Sequence, residues 1–123
     1  MAKHNDLGRI GEETAVNYLQ SKGYIIRHRN WKSGKEELDI VAEKENILVV
    51  VEVKTRSSEY FEHPKEAVTN TKIRHIVYAT EAYIFTYDLM METRFDIISV
   101  IPDKNGQFTI EHIEDAFLPP VNL

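Results

Sequence analysis

The stretch ILVVVEVKTR, residues 47–56, decides the fold: an aliphatic run is broken near its end by a carboxylate and an amine two positions apart. In an extended strand, alternate residues share a face. Leu48, Val50, Glu52 and Lys54 therefore point one way, and Ile47, Val49, Val51 and Val53 the other. Two charges therefore sit at the end of a buried-looking strand. Charge at its end must be paired or coordinate a metal, because burying it alone is costly. Glu52 and Lys54 are thus either a structural ion pair or part of a site.

Working outward, ELDIVAE at 37–43 reads as a preceding strand, with Leu38, Ile40 and Ala42 on one face and Glu37, Asp39 and Val41 on the other. A two-residue loop at Lys44-Glu45 pairs Glu43 with Asn46. In that register Asp39 faces Val50, with Glu52 its diagonal neighbour. Diagonal Cβ atoms lie about 7 Å apart, so the carboxylates of Asp39 and Glu52 can hold one cation between them. Tyr24 to Trp31 is a further strand with mixed faces, followed by a basic loop at Lys32 to Lys35 around Ser33-Gly34.

Upstream, Asn5 or Asp6 caps a helix that runs to about Lys22 and stops at Gly23. Leu7, Ile10, Ala15, Val16 and Leu19 recur at helical spacing. Glu12 shares their stripe and edges toward the core, whereas Glu13 faces solvent. Gly8 and Gly11, one turn apart, predict a close approach by another backbone or a ligand. Downstream, Ser57 to His63 is a polar, aromatic-bearing loop. A second helix starts near Thr69 or Asn70 and runs to about Phe85, with Ile73, Ile76, Val77, Thr80, Tyr83 and Ile84 inward and Lys72 in its first turn. Arg94 to Ile101 alternates as a strand, with Arg94, Asp96, Ile98 and Val100 on one face. Asn105-Gly106 turns into a last strand, Gln107 to Ile113. The order αβββαββ predicts a mixed sheet flanked by helices.

The chain has 123 residues, no cysteine, 42% hydrophobic and 28% charged residues, which suits one soluble domain over 1–118 and an irregular tail at 119–123. No apolar run is long enough for a membrane span or signal peptide, and the lack of cysteine fits a reducing cytoplasm. The net charge is -5, but unevenly spread: residues 1–35 hold seven Lys and Arg against three acids, and the remainder eight against seventeen. An ordinary solvated surface explains this, and so does a metal site that receives phosphates. The five histidines show no ligand spacing, and no Gly-rich phosphate loop or GxSxG elbow is present.

Glu12, Asp39, Glu52 and Lys54 together make an oxygen-only donor set with one amine. That set suits Mg²⁺ or Mn²⁺, with the Val53 carbonyl as an extra ligand and Lys54 orienting a water or stabilising developing charge. Arg27, Arg29, Lys32 and Lys35, beside Trp31, form a basic stretch able to follow a nucleic-acid backbone, as do Arg56 and Lys72.

At these residues the chain resembles the PD-(D/E)XK nuclease superfamily, and within it the small bacterial YraN-like proteins, relatives of archaeal Holliday-junction resolvases. The likeness is carried by GRIGEETAVNYLQSKGY (8–24), RNW (29–31), EELDIVAE (36–43), VVVEVKTR (49–56), PKEAVTNTK (64–72) and TRFDIISV (93–100), in that order. The resemblance implies a restriction-endonuclease-like αβββαβ core. It implies Asp39 and Glu52 as metal ligands, Lys54 as the catalytic lysine and Glu12 as the helix-borne carboxylate, with Glu37, Lys72 and Asp96 at further characteristic positions. It also implies Mg²⁺-dependent cleavage of DNA, branched or damaged forms included. The chain departs from the pattern at Glu36 and near Glu62, where the family usually has glycine. A non-catalytic nucleic-acid- or protein-binding module that keeps the nuclease fold is the alternative, and a homodimer built on exposed aromatics a third reading.

Overall fold

A computed structural model describes residues 4–56 and 68–119. The loop expected over Ser57 to His63, the Glu62 departure and most of the expected tail fall outside them. The elements are α1 (His4–Ser21), β1 (Ile25–Ser33), β2 (Glu36–Lys44), β3 (Ile47–Thr55), α2 (Asn70–Tyr87), β4 (Glu92–Pro102) and β5 (Phe108–Ile113). One five-stranded sheet has the order β1-β2-β3-β4-β5, antiparallel throughout except for the parallel pair β3 and β4. That parallel pair is what requires α2 as its connection. The result is the expected mixed α/β sheet flanked by helices, consistent with a restriction-endonuclease-like core. No helix among the described residues is long and apolar enough to cross a membrane.

β3 sits in the middle because both its faces are apolar. Leu48 and Val50 join the core under α2 with Ile76, Val77, Ala79, Tyr83, Phe95 and Ile97. Val49 and Val51 join the core under α1 with Ala15, Val16, Leu19, Ile40, Ile98 and Val100. The face assignment for residues 47–54 is therefore correct.

Both helices end as their sequences dictate. α1 begins at His4, so Asn5 and Asp6 lie in its first turn rather than capping it, and Gly23 takes a left-handed φ of 92° just beyond its end. Thr69 caps α2, accepting from the Lys72 amide at 3.1 Å, and Asp88 closes it in the left-handed region, its N–H donating to Ile84 and Phe85 carbonyls. Of the expected inner stripe, Ile76, Val77, Thr80 and Tyr83 are buried, with Ile73 and Ile84 packed at the margin.

Two expectations for the hairpins are corrected. The β2–β3 turn is Glu45-Asn46, not Lys44-Glu45: both residues take positive φ, 52° and 65°, and Lys44 pairs with Ile47. A pair of positive φ values is the mirror-image turn whose twist matches a hairpin, and Asn tolerates it well. β2 is thereby slid by two residues against β3, which preserves the facing of every side chain. The basic loop expected at Lys32 to Lys35 contracts to a two-residue turn at Gly34-Lys35, with Lys32 and Ser33 inside β1.

The alternation of β2 is also broken. Leu38 packs under α2, whereas Ile40 and Ala42 pack under α1, so Leu38 and Ile40 do not share a face. The break falls at Asp39. Across the ladder, Arg29 pairs with Ile40 and Trp31 with Leu38, leaving Asn30 opposite the break at a left-handed φ of 51°. Matching irregularities in both strands keep the register while exchanging the faces.

The close approach expected from another backbone or a ligand is instead made by a side chain, and at one glycine of the two. A Cβ at Gly11 would overlap the Thr55 side chain, while at Gly8 it would meet nothing. Gly11→Ala is therefore expected to cost about 1–3 kcal/mol through overpacking. Gly8→Ala should be neutral or gain up to about 1 kcal/mol from helix propensity. Urea denaturation of the two variants checks this opposite pair of signs.

Candidate metal centre

One step beyond the last ladder pair, Ile40 with Val51, the register brings Asp39 level with Glu52. They are direct rather than diagonal neighbours. Asp39 also accepts the Val53 amide through Oδ2 at 2.9 Å, a bond that ties its carboxylate to the backbone of β3. Glu52 is only 6% exposed. Burial, followed by the charge of Asp39 and a hydrogen bond between the two carboxyl groups, pushes the Glu52 pKa from 4.5 to about 8, with Lys72 and Lys54 pulling the other way. A like charge this close to a desolvated carboxyl group favours the protonated form of Glu52.

Glu12 approaches from α1. Its carboxylate accepts from the Asn30 side-chain amide at 2.7 Å and lies 3.8 Å from the Arg29 guanidinium. Burial raises its pKa, as do the charges of Asp39 and Glu37. Glu12, Asp39, Val53 and Thr55, with Leu7 and Gly8, line a cavity of about 270 Å³. The open backbone at Gly8 gives that cavity part of its room. On the opposite side of the sheet, Lys72 reaches Glu52 at 3.8 Å from the first turn of α2. The carboxyl pair therefore stands between an acidic cleft under α1 and a cationic approach under α2.

These residues fit a hard divalent cation. The donors are oxygen only, and positive charge beside Glu52 would relieve the burial and repulsion that raise its pKa. Among the described residues no three His, Asp or Glu side chains converge closely enough to form a complete cage. Mg²⁺ does not need one, since it commonly keeps several waters beside one or two carboxylates.

The structure thus gathers Glu12, Asp39, Glu52, Lys54 and Lys72, with Glu37 at the rim. Asp96 lies elsewhere. It is fully buried, bonded twice by Arg94 at 2.9 and 2.8 Å, by His112 at 2.7 Å and by the Asp115 amide at 3.0 Å. Burial pushes its pKa up, but these hydrogen bonds outweigh it and the net shift is downward. Its role is to join β4 to β5.

The basic stretch does not form one stripe. Arg27 turns to the α2 side, donating to the Tyr83 hydroxyl at 2.9 Å and pairing with Glu43, while Arg29 turns to α1 and pairs with Glu13 at 2.7 Å. A bulge between Ile26 and His28, where the β1–β2 register shifts by one residue, separates them. Lys32 stands 3.9 Å from Glu37, Lys35 is exposed in its turn, and Arg56 is buried at 9% exposure, its amide donating to Val100. Sequence reasoning missed Asn30, Thr55 and Leu7. Asn30 had a signal, being a residue type that tolerates left-handed backbone inside an otherwise regular strand.

A pH dependence follows. Below about pH 4.5 both folded and unfolded chains hold the Glu52 proton; between 4.5 and about 8 only the folded chain does, so stability falls as pH rises through that window. The thermal midpoint of the metal-free protein in EDTA is expected to fall between pH 5 and 8. Glu52→Gln, which stays neutral, should flatten that slope and lift the midpoint at pH 8. Equal slopes in wild type and variant would refute the assignment.

Residues 11–100 match the family described as "Uncharacterised protein family UPF0102". The chain is 54% identical over 121 residues to a UPF0102 protein of Phocaeicola vulgatus and 55% identical over 121 residues to one of Bacteroides thetaiotaomicron, with 98% of this chain and 99% of each relative covered. It is 53% identical over 117 residues to a UPF0102 protein of Flavobacterium psychrophilum, covering 95% of this chain and 98% of that one. A family match over most of the chain and relatives aligned over nearly their whole length lead to one statement: this protein belongs to the family UPF0102.

Proposed function

We propose that this protein is a divalent-metal-dependent phosphodiesterase of the PD-(D/E)XK type acting on DNA, branched or damaged forms included. The observation that carries the reading is the carboxyl pair Asp39–Glu52 at a strand end, beside an open cavity and two lysines. A structural carboxylate is satisfied as Asp96 is; this pair is held in a state that a cation would relieve.

In this reading Asp39, Glu52 and the Val53 carbonyl hold Mg²⁺ or Mn²⁺. When bound, the ion supplies a water of lowered pKa and a Lewis acid for the phosphate. The remaining work falls to the chain. Lys54, close enough to bias Glu52, directs its ammonium at the attacking water and the charge that gathers on the phosphate oxygens. Glu12, kept in place by Asn30 and Arg29, orients a water at the cavity mouth. Water oxygen would bond to phosphorus and release its proton to solvent, while the opposite P–O ester bond breaks and the departing oxygen takes a proton from solvent. The cavity under α1 leaves room for the water, while the cationic side under α2 favours the polyanion.

A binding module without catalysis is the second reading, and the engagement of Arg27 and Arg29 in intramolecular ion pairs favours a small contact surface over a long one. The two readings part in one assay. Purified protein is incubated with linear, nicked and four-way DNA in Mg²⁺ or Mn²⁺, and products are resolved on denaturing gels. Cleavage that falls by about a hundredfold or more in Lys54→Ala, and is lost in Glu52→Gln, is the expected outcome. Cleavage that persists in both variants assigns the activity to a contaminant, and DNA binding without cleavage or metal uptake selects the module.

A further inference from the structure

We propose that Lys72 is a displaceable cation that links ion binding at the Asp39–Glu52 pair to phosphate binding at the start of α2. This rests on the metal-centre reading above and adds a regulatory contact to it.

Lys72 Nζ lies 3.8 Å from Glu52 Oε1, too far for a directional hydrogen bond, so the contact is Coulombic and easily exchanged. Its two ends differ in freedom. The Glu52 side chain is 6% exposed and fixed in the sheet, whereas the Lys72 side chain is 42% exposed on the first turn of a helix. A four-carbon stem pivoting there can carry the ammonium outward without moving the backbone. One turn further on, His75 stands 3.3 Å from Glu36, so the same helix face meets the strand ends through a second contact that holds α2 in place when Lys72 leaves.

Without a divalent ion, Lys72 is a monovalent substitute for it. A dication between Asp39 and Glu52 neutralises Glu52 and repels the neighbouring ammonium, which turns outward and becomes available to a phosphate. Binding of the ion and of the polyanion then favour each other, and by linkage each raises the affinity of the other by the same factor. An occupied phosphate contact in turn removes the competitor from Glu52.

The test measures binding alone. Mn²⁺ uptake is followed by isothermal titration calorimetry, and binding of a fluorescent duplex oligonucleotide is measured in Ca²⁺ and in EDTA, for wild type, Lys72→Met and Lys72→Arg. Circular dichroism checks that the exposed substitutions leave the fold intact. The expected result is that Lys72→Met takes up Mn²⁺ at least threefold more tightly than wild type, and loses the several-fold gain in DNA affinity that Ca²⁺ confers on wild type. Lys72→Arg should restore that gain. If Lys72→Met binds Mn²⁺ no better than wild type, or keeps the full Ca²⁺ dependence of DNA binding, the coupling is refuted while the metal centre stands. If wild type takes up no Mn²⁺, the metal centre and the coupling fail together.

Discussion

Two carboxyl groups, Asp39 and Glu52, meet through a hydrogen bond at the end of a strand that is apolar on both faces, and much of the surrounding architecture is arranged around that contact. An isolated pair of this kind would be driven apart by desolvation and like-charge repulsion. Here the backbone prevents it. Asp39 is fastened to the Val53 amide, Glu52 is fixed by the central position of β3, and α2 contributes Lys72 from its first turn. The break in β2 alternation turns Asp39 toward the cavity under α1 and so places the pair at a junction of the two faces. A regular β2 would have kept Asp39 on the side of Val41, under α2.

The comparison with Asp96 separates structure from function within one sheet. Both Asp96 and Glu52 are buried carboxylates close to the sheet centre. Asp96 is surrounded by donors, ionised, and bound into a network with Arg94, His112 and Tyr24. Glu52 has another carboxyl group as its nearest partner and holds its proton to about pH 8. Burial is therefore not what distinguishes a site from a structural contact; the chemistry of the partner is. The family likeness in the chain touches both positions, and only the geometry tells them apart.

Much of the site was legible before any coordinates. Glu12 emerges from the helix wheel because a carboxylate on an apolar stripe needs an explanation, and Asn30 and the nearby Asp39 provide it. Asp39 and Glu52 emerge together from hairpin logic even though the turn lies one residue later, because a two-residue slide preserves facing. What could not be read was the face exchange at Asn30 and Asp39. In β2 nothing in the local pattern announces it, since Leu38, Ile40 and Ala42 alternate perfectly as letters, and in β1 the one signal is the residue type of Asn30. A separate bulge in β1, between Ile26 and His28, undid the basic stripe and sent Arg27 and Arg29 to opposite faces.

By itself the sequence determined the elements, their order and the buried character of β3, because hydrophobic periodicity, capping residues and a doubly apolar strand are local and additive signals. It also determined which carboxylates and lysines would stand near the end of that strand. Only the tertiary structure decided how they meet: that Asp39 stands directly beside Glu52, that burial and this neighbour raise the Glu52 pKa, and that Lys72 faces the buried oxygen from α2 on the same side of the sheet. Those outcomes depend on a pair of compensating irregularities and on the docking of two helices. Each is a balance among distant residues, and no window of sequence contains it.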